Sequence, residues 1–199
     1  MNPSLDFYFF IGSTYTYLSV NRAEAVAAAH GVGLRWQPFN ARSIMKAQNN
    51  LPFIGKPVKT RYMWRDLERR AKRYGIPFNG IPPYPVDPDG LAGRVAVVAS
   101  AAGWCPDFAR TIYRDWFLEG KAPGDPNALQ KQLESLGKDP QAVLEQADSP
   151  AIRTRYDEQT QRALELGVFG SPTFVAGDEV FWGDDRLEDA IEWAKAQAN

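Results

Sequence analysis

Hydrophobic and polar positions alternate along the chain in a few distinct rhythms. The stretch "LDFYFF" (5–10) is apolar on both faces, as a central strand buried on two sides should be. From Thr14 to about Ala29 the composition turns helical, with Gly31 as a stop. "LRWQPFN" (34–40) reads as a second strand, parallel to the first through a right-handed crossover. A long helical stretch follows. Pro57 opens "PVKTRYMWRDLERRAKRYG", where Met63, Leu67 and Tyr74 share one face and Gly75 ends the helix. "IPFNGIPPYPVDPDG" is a proline-rich loop, and "LAGRVAVVASAAGW" and "PDFARTIYRDWFLEG" read as two packed helices. Asp125-Pro126, Asp139-Pro140 and Ser149-Pro150 each place a capping side chain before a proline at the first helical position. Near the end, "TFVAG" and "EVFWG" flank Gly177-Asp178 as an antiparallel hairpin. "DDRLEDAIEWAKAQ" closes the chain as an amphipathic helix with Leu187, Ile191 and Ala194 inward.

This order predicts an α/β protein with a thioredoxin-like fold (β-α-β, β-β-α) and a large inserted all-helical domain. Residues 1–40 and 168–199 form the thioredoxin-like domain and 41–167 the insertion. No flexible linker separates the two, so they are expected to pack together.

Composition narrows the function classes. The 199 residues carry a net charge of −1, so the total charge gives no reason to expect nucleic acid or a membrane surface as partner. No apolar run approaches the roughly 18–20 residues that span a bilayer. The start "MNPSLDFYFF" lacks a basic segment and a long apolar run, so no signal peptide is expected. The single cysteine forms no internal disulfide, and a reducing, cytoplasmic setting is the default expectation.

In a thioredoxin-like chain the end of the first strand and the start of the first helix carry the redox Cys-x-x-Cys, whose thiolate is stabilised by the helix N-terminus. Here that stretch is Ser13-Thr14-Tyr15-Thr16, without sulfur, which excludes disulfide exchange at this site. Ser13 reads in two ways: a helix cap, or a hydroxyl donor to the thiolate of another molecule. Ser171-Pro172 lies just before the hairpin, where such folds place a cis-proline opposite the redox motif.

These segments together resemble the 2-hydroxychromene-2-carboxylate isomerase family, relatives of the kappa-class glutathione transferases within the DsbA-like thioredoxin superfamily. "FYFFIGSTYTYL" resembles the family opening "FYFDFxSPxSYL", with Ser13 at the catalytic serine; Gly12 and Thr14 depart from the residues that usually flank it. "RYDEQT…VFGSPTFVAGDEVFWGDDRL" resembles the C-terminal signature. "IMKAQNN" and "VKTRYM" resemble the segments with the glutathione-binding asparagine and the active-site lysine, placed at Asn50 (or Asn49, one residue earlier) and Lys59.

The resemblance implies glutathione as cofactor. The Ser171 backbone, before Pro172, would pair with the cysteinyl part, and Asp184 and Asp185 would hold the γ-glutamyl ammonium. The bland reading of these two acids is a helix cap with first-turn charge. It further implies an isomerase in which Ser13 stabilises a thiolate that adds to the substrate's conjugated double bond, while Lys59 attracts a carboxylate or stabilises an enolate. The substrate would be a small aromatic carboxylate. Tyr84, in the proline-rich loop, is the substrate-contacting candidate, and the family's Asn-Arg pair finds no match in "LPFIGKPVK". Two other readings stay open: a kappa-like glutathione transferase, and a non-catalytic thioredoxin-like module that binds peptides. The oligomeric state also stays open, a homodimer included.

Other chemistry-bearing residues point elsewhere. Cys105, far in sequence from the junction, reads as buried and structural. His30, the only histidine, sits at a helix end, and a lone histidine builds no common zinc site, so no metal is expected.

Overall fold

The computed structural model describes residues 3–50 and 52–198. Strand β1 (Ser4–Phe9) leads through a turn into helix α1 (Thr16–Ala29), and β2 (Gly33–Pro38) returns alongside. The short α2 (Ala41–Ala47) and the long α3 (Pro57–Tyr74) follow. Next come α4 (Leu91–Ala101), α5 (Cys105–Glu119), α6 (Pro126–Ser135), α7 (Pro140–Asp148) and α8 (Pro150–Glu165). The hairpin β3 (Thr173–Ala176) and β4 (Glu179–Trp182), a 3₁₀ turn at Asp184–Arg186, and α9 (Leu187–Ala198) complete the described chain.

Among the described residues the strands form a sheet in the order β2-β1-β3-β4. β1 runs parallel to β2 and antiparallel to β3, which pairs antiparallel with β4. This is the β-α-β, β-β-α arrangement of a thioredoxin fold with helices inserted after β2. None of the described helices is long and apolar enough to cross a membrane.

The two-sided burial of β1 follows from its period of two. Leu5, Phe7, Phe9 and Ile11 enter the larger core with residues of α1, α3, α4, α5 and α9. There Phe7 meets Trp36 edge-on at 4.9 Å and stacks on Phe174 at 5.1 Å. Tyr8 and Phe10 point the other way, into a smaller cluster with Phe39, Ile44, Ala163 and Val168. One continuous core therefore contains side chains from both the sheet and the inserted helices.

The helix boundaries are set locally. Asp125, Asp139 and Ser149 cap α6, α7 and α8 with side-chain bonds to backbone N–H groups, and each is followed by proline. Gly75 ends α3 at φ 68°, a left-handed conformation that glycine adopts without steric cost. Asn49 does the same after α2 with φ 52°. The Asn50 N–H reaches back to the Met45 carbonyl at 2.8 Å, closing the helix end.

Candidate active site

The chain between β1 and α1 is a tight turn held from below. The Ser13 N–H donates to the Phe10 carbonyl at 3.0 Å. The hydroxyl of Tyr113, from α5, is shared between the carbonyls of Phe10 (2.8 Å) and Ser13 (3.2 Å). Tyr113 is fully buried, and burial drives its phenol well above the usual tyrosine range, so it serves as a permanent donor. Thr14 Oγ1 donates to Met63 Sδ at 3.1 Å, and the Tyr15 hydroxyl donates to Asp66 at 3.0 Å. Both partners lie on α3, so the insertion grips the junction from two sides.

Ser13 is not the cap of α1. The cap position falls to Tyr15, which makes no side-chain cap bond. The Ser13 hydroxyl instead crosses to the other half of the fold and donates to the Ser171 carbonyl at 2.7 Å. The Ser171-Pro172 peptide is cis, as its place before the hairpin leads one to expect. Ser171 Oγ accepts from the Phe10 N–H at 2.9 Å and shares a hydrogen bond with Thr16 Oγ1 at 2.8 Å. The Ser171 carbonyl is thereby aimed at the α1 N-terminus, where the first N–H groups of a helix lack intrahelical acceptors.

Connection to the acidic pair is direct. The Gly183 N–H donates to the Pro172 carbonyl at 2.9 Å, and Asp184 and Asp185 follow at once. The two acids behave differently. Asp184 is buried; its Oδ2 accepts from Arg70 at 2.8 Å, and its backbone carbonyl accepts from Arg22 at 3.0 Å. Its Oδ1 has no partner among the described residues. Burial pushes its pKa up to about 6, with the neighbouring Asp185 adding to the rise and Arg70 and Arg22 opposing it. Asp185 presents a half-exposed carboxylate, 3.3 Å from Arg186 and 3.9 Å from Arg70. The acids do lie in the first turn, but no side-chain cap bond marks this helix start.

Ser13, Ser171, Pro172, Asp184 and Asp185 thus form one connected strip. No hydrogen bond or ion pair among the described residues joins Asn50, Lys59 or Tyr84 to it. Lys59 is exposed in the first turn of α3, its Nζ 5.7 Å over the Phe53 ring. It precedes Met63 by four residues, one turn or about 6 Å along the axis, and so shares the helix face that meets Thr14. Asn50 is exposed beyond α2. Asn49, at its positive φ, is the residue that turns the chain there.

Tyr84 packs edge-on against Trp64 at 5.7 Å. Burial raises its phenol pKa, and the charge of Arg42 works against that rise. Trp64 in turn lines an open cleft of about 540 Å³ with Phe53, Lys56, Thr60, Arg61 and Ile81.

Cys105 is buried and free, its thiol pushed up to about 12 by burial, so it is no nucleophile. His30 sits at the C-terminus of α1, its Nδ1 2.9 Å from the Val26 carbonyl.

Several residues of this site escape sequence reasoning. Thr16 had a signal, because it occupies the second sulfur position of the redox motif. Arg70 had a weaker one, since Lys59, Met63, Asp66 and Arg70 are spaced as one helix stripe. Arg22 and Tyr113 had none; their roles exist only through contacts between distant segments.

The DSBA-like thioredoxin domain model matches residues 4–192. A 2-hydroxychromene-2-carboxylate isomerase of Pseudomonas putida is 31% identical over 92% of this chain and 90% of its own length. Glutathione S-transferase kappa 1 of Caenorhabditis elegans is 25% identical over 93% and 88% of the two chains. A solved structure of a 2-hydroxychromene-2-carboxylate isomerase superposes with a TM-score of 0.86 at 31% identity, covering 98% of this chain and 95% of that one. The chain belongs to the DSBA-like thioredoxin domain family and, within it, to the 2-hydroxychromene-2-carboxylate isomerase family.

Proposed function

We propose that the protein is a glutathione-dependent cis–trans isomerase acting on an aromatic 2-hydroxychromene-2-carboxylate or benzylidenepyruvate-type substrate. The observation that carries this reading is the 2.7 Å bond from the Ser13 hydroxyl to the Ser171 carbonyl. It pairs with each other the donor a thiolate needs and the acceptor a cysteinyl N–H needs. A peptide thiol entering here exchanges one internal bond for two of its own.

Glutathione held along Ser13, Ser171 and the acidic pair would supply a thiolate for reversible addition to the conjugated double bond, the chemistry that allows rotation and returns the cofactor unchanged. Every other part falls to this chain. Ser13 turns its hydroxyl to the sulfur, and the α1 N-terminus favours the charge. Reference thiols have a pKa of about 8.5, and lowering it by about two units stabilises the thiolate by roughly 2.7 kcal/mol. Ser171 receives the cysteinyl N–H. Asp185 faces the γ-glutamyl ammonium, supported by the buried Asp184. Asn50 would contact the tripeptide from the loop after α2. Lys59 stabilises the oxygen that becomes negative on addition, and Tyr84 borders the aromatic body.

The test is a thermal shift with glutathione together with an isomerisation assay run with and without it. At a concentration 100 times Kd the gain is about 2.7 kcal/mol, or roughly 5–10 °C for a chain of this size. Turnover should require glutathione without consuming it. Consumption would mark a transferase, the reading favoured by the kappa-class relative. No shift at millimolar glutathione and no turnover would leave the non-catalytic peptide groove.

A further inference from the structure

Arg42, in the first turn of α2, carries a charge that no side chain neutralises. Its Nη1 and Nη2 donate to the backbone carbonyls of Asp87 (2.7 Å) and Val86 (2.6 Å). Neither acceptor is charged, and among the described residues Arg42 forms no ion pair. Asp87 is the acid that faces it, but the Asp87 carboxylate accepts from the N–H groups of Ala92 (3.0 Å) and Gly93 (3.2 Å) at the start of α4. The guanidinium lies partly buried over the Phe10 ring, 5.1 Å from its centroid. A half-buried cation with neutral partners keeps unused N–H donors and a field that favours an anion.

Relative to Ser13, the guanidinium is located by Gly12. At φ 124° this residue adopts a conformation that side chains rarely take, and a Cβ there would lie 3.0 Å from Phe10 Cε1 and 3.6 Å from Arg42 Nη2. The guanidinium thus lies beside the residue that precedes Ser13, at ordinary van der Waals distance from the position of that Cβ. On its other side Arg42 is within electrostatic reach of the Tyr84 phenol. The cation therefore lies near both the Ser13 turn and the Tyr84 ring, and the bidentate fork of an arginine suits a carboxylate.

We propose that Arg42 binds the carboxylate of the substrate, leaving Lys59 for the oxygen that becomes charged on addition. This assignment rests on the isomerase reading but is tested apart from it. The probes are trans-cinnamate and methyl cinnamate, which share the aromatic conjugated body and differ in charge. Their binding is followed by tryptophan fluorescence in the absence of glutathione. The wild type should prefer the acid by about tenfold or more, the scale of one charge-assisted hydrogen bond. R42M should bind both probes alike. R42K, which keeps the charge but cannot bridge both carbonyls, should keep part of the preference. A purely structural Arg42, needed only to hold residues 86 and 87, would affect both probes and both variants equally. An unchanged preference in R42M, or no preference in the wild type, overturns the assignment. An Arg42-dependent preference in a protein that ignores glutathione would sink the isomerase reading alone.

Discussion

Ser13→Ala is the most direct perturbation of the site, and its consequences can be worked in two states. In the free protein it deletes the bond to the Ser171 carbonyl, which ties together segments 158 residues apart. One net hydrogen bond contributes about 1 kcal/mol, so melting should fall by roughly 2–4 °C. The Tyr113, Phe10 and Thr16 bonds remain, so the turn and Ser171 should keep their places. In the proposed glutathione complex the loss should be larger. A hydrogen bond to a charged acceptor contributes about 1.5–3 kcal/mol, and its removal raises the bound thiol's pKa by about 1–2 pH units. Starting from about 6.5, the thiolate fraction at pH 7 falls from roughly three quarters to between about 3 and 25%. On the proposed mechanism the same hydroxyl would also meet the charge that returns to sulfur on elimination, so turnover should drop by roughly 10²-fold in all.

The assay is a thiolate absorbance titration of the glutathione complex for both proteins, paired with turnover at pH 7 and pH 9. Glutathione affinity should change little, because its other anchors are intact. The part of the loss that comes from ionisation, about 3- to 25-fold, should return at pH 9, where even a thiol of reference pKa is largely ionised, and the part that belongs to elimination should remain. Coincident titration curves with unchanged turnover would refute the reasoning and reduce Ser13 to a strut for Ser171.

Tyr113→Phe removes the shared donor of the Phe10 and Ser13 carbonyls; it should cost about 1–3 kcal/mol, read by chemical denaturation, and an unchanged midpoint would mean that the turn holds itself. Burial pushes the Asp184 carboxyl up to about 6 from its ordinary value of 3.8. A raised carboxyl pKa contributes stability that is fully present below about 3.8 and is lost as pH rises through about 6. Asp184→Asn has no such loss, so its stability relative to wild type should rise between pH 4 and pH 7; a difference that stays constant across that window defeats the prediction.

What the sequence revealed was local. The two-sided strand, the capped helices and the Gly177-Asp178 hairpin each depend on residues a few positions apart, and period, cap and turn chemistry suffice to read them. Ser13 and Ser171-Pro172 were legible because each sits at a recognisable junction. The helix-cap reading of Ser13 gives way because its hydroxyl donates to the distant Ser171 carbonyl and accepts from no N–H of its own helix. "WGDDRL" shows two equivalent acids. Burial separates them, seating Asp184 against Arg70 and Arg22 and leaving Asp185 half exposed, and that burial is decided by how α1 and α3 meet the 3₁₀ turn. Tyr113 and Arg42 were invisible for the same reason: a phenol on an apolar helix face and an arginine in a short helix carry no signature of the carbonyls they reach.

The hydroxyls of Ser13 and Thr16 stand where a disulfide-exchanging relative has its two sulfurs, and both close on Ser171, one on its carbonyl and one on its Oγ. They are not equivalent. Thr16 is fully buried, and its bond fixes the Ser171 side chain, which also accepts from the Phe10 N–H; releasing it would strand polar groups away from water. Ser13 is partly exposed, and water or a ligand can satisfy the Ser171 carbonyl once the hydroxyl turns away. The cost of opening is therefore small at Ser13 and large at Thr16. One hydroxyl can act while the other keeps its target in place, a division of labour that two cysteines, free to join each other, could not maintain.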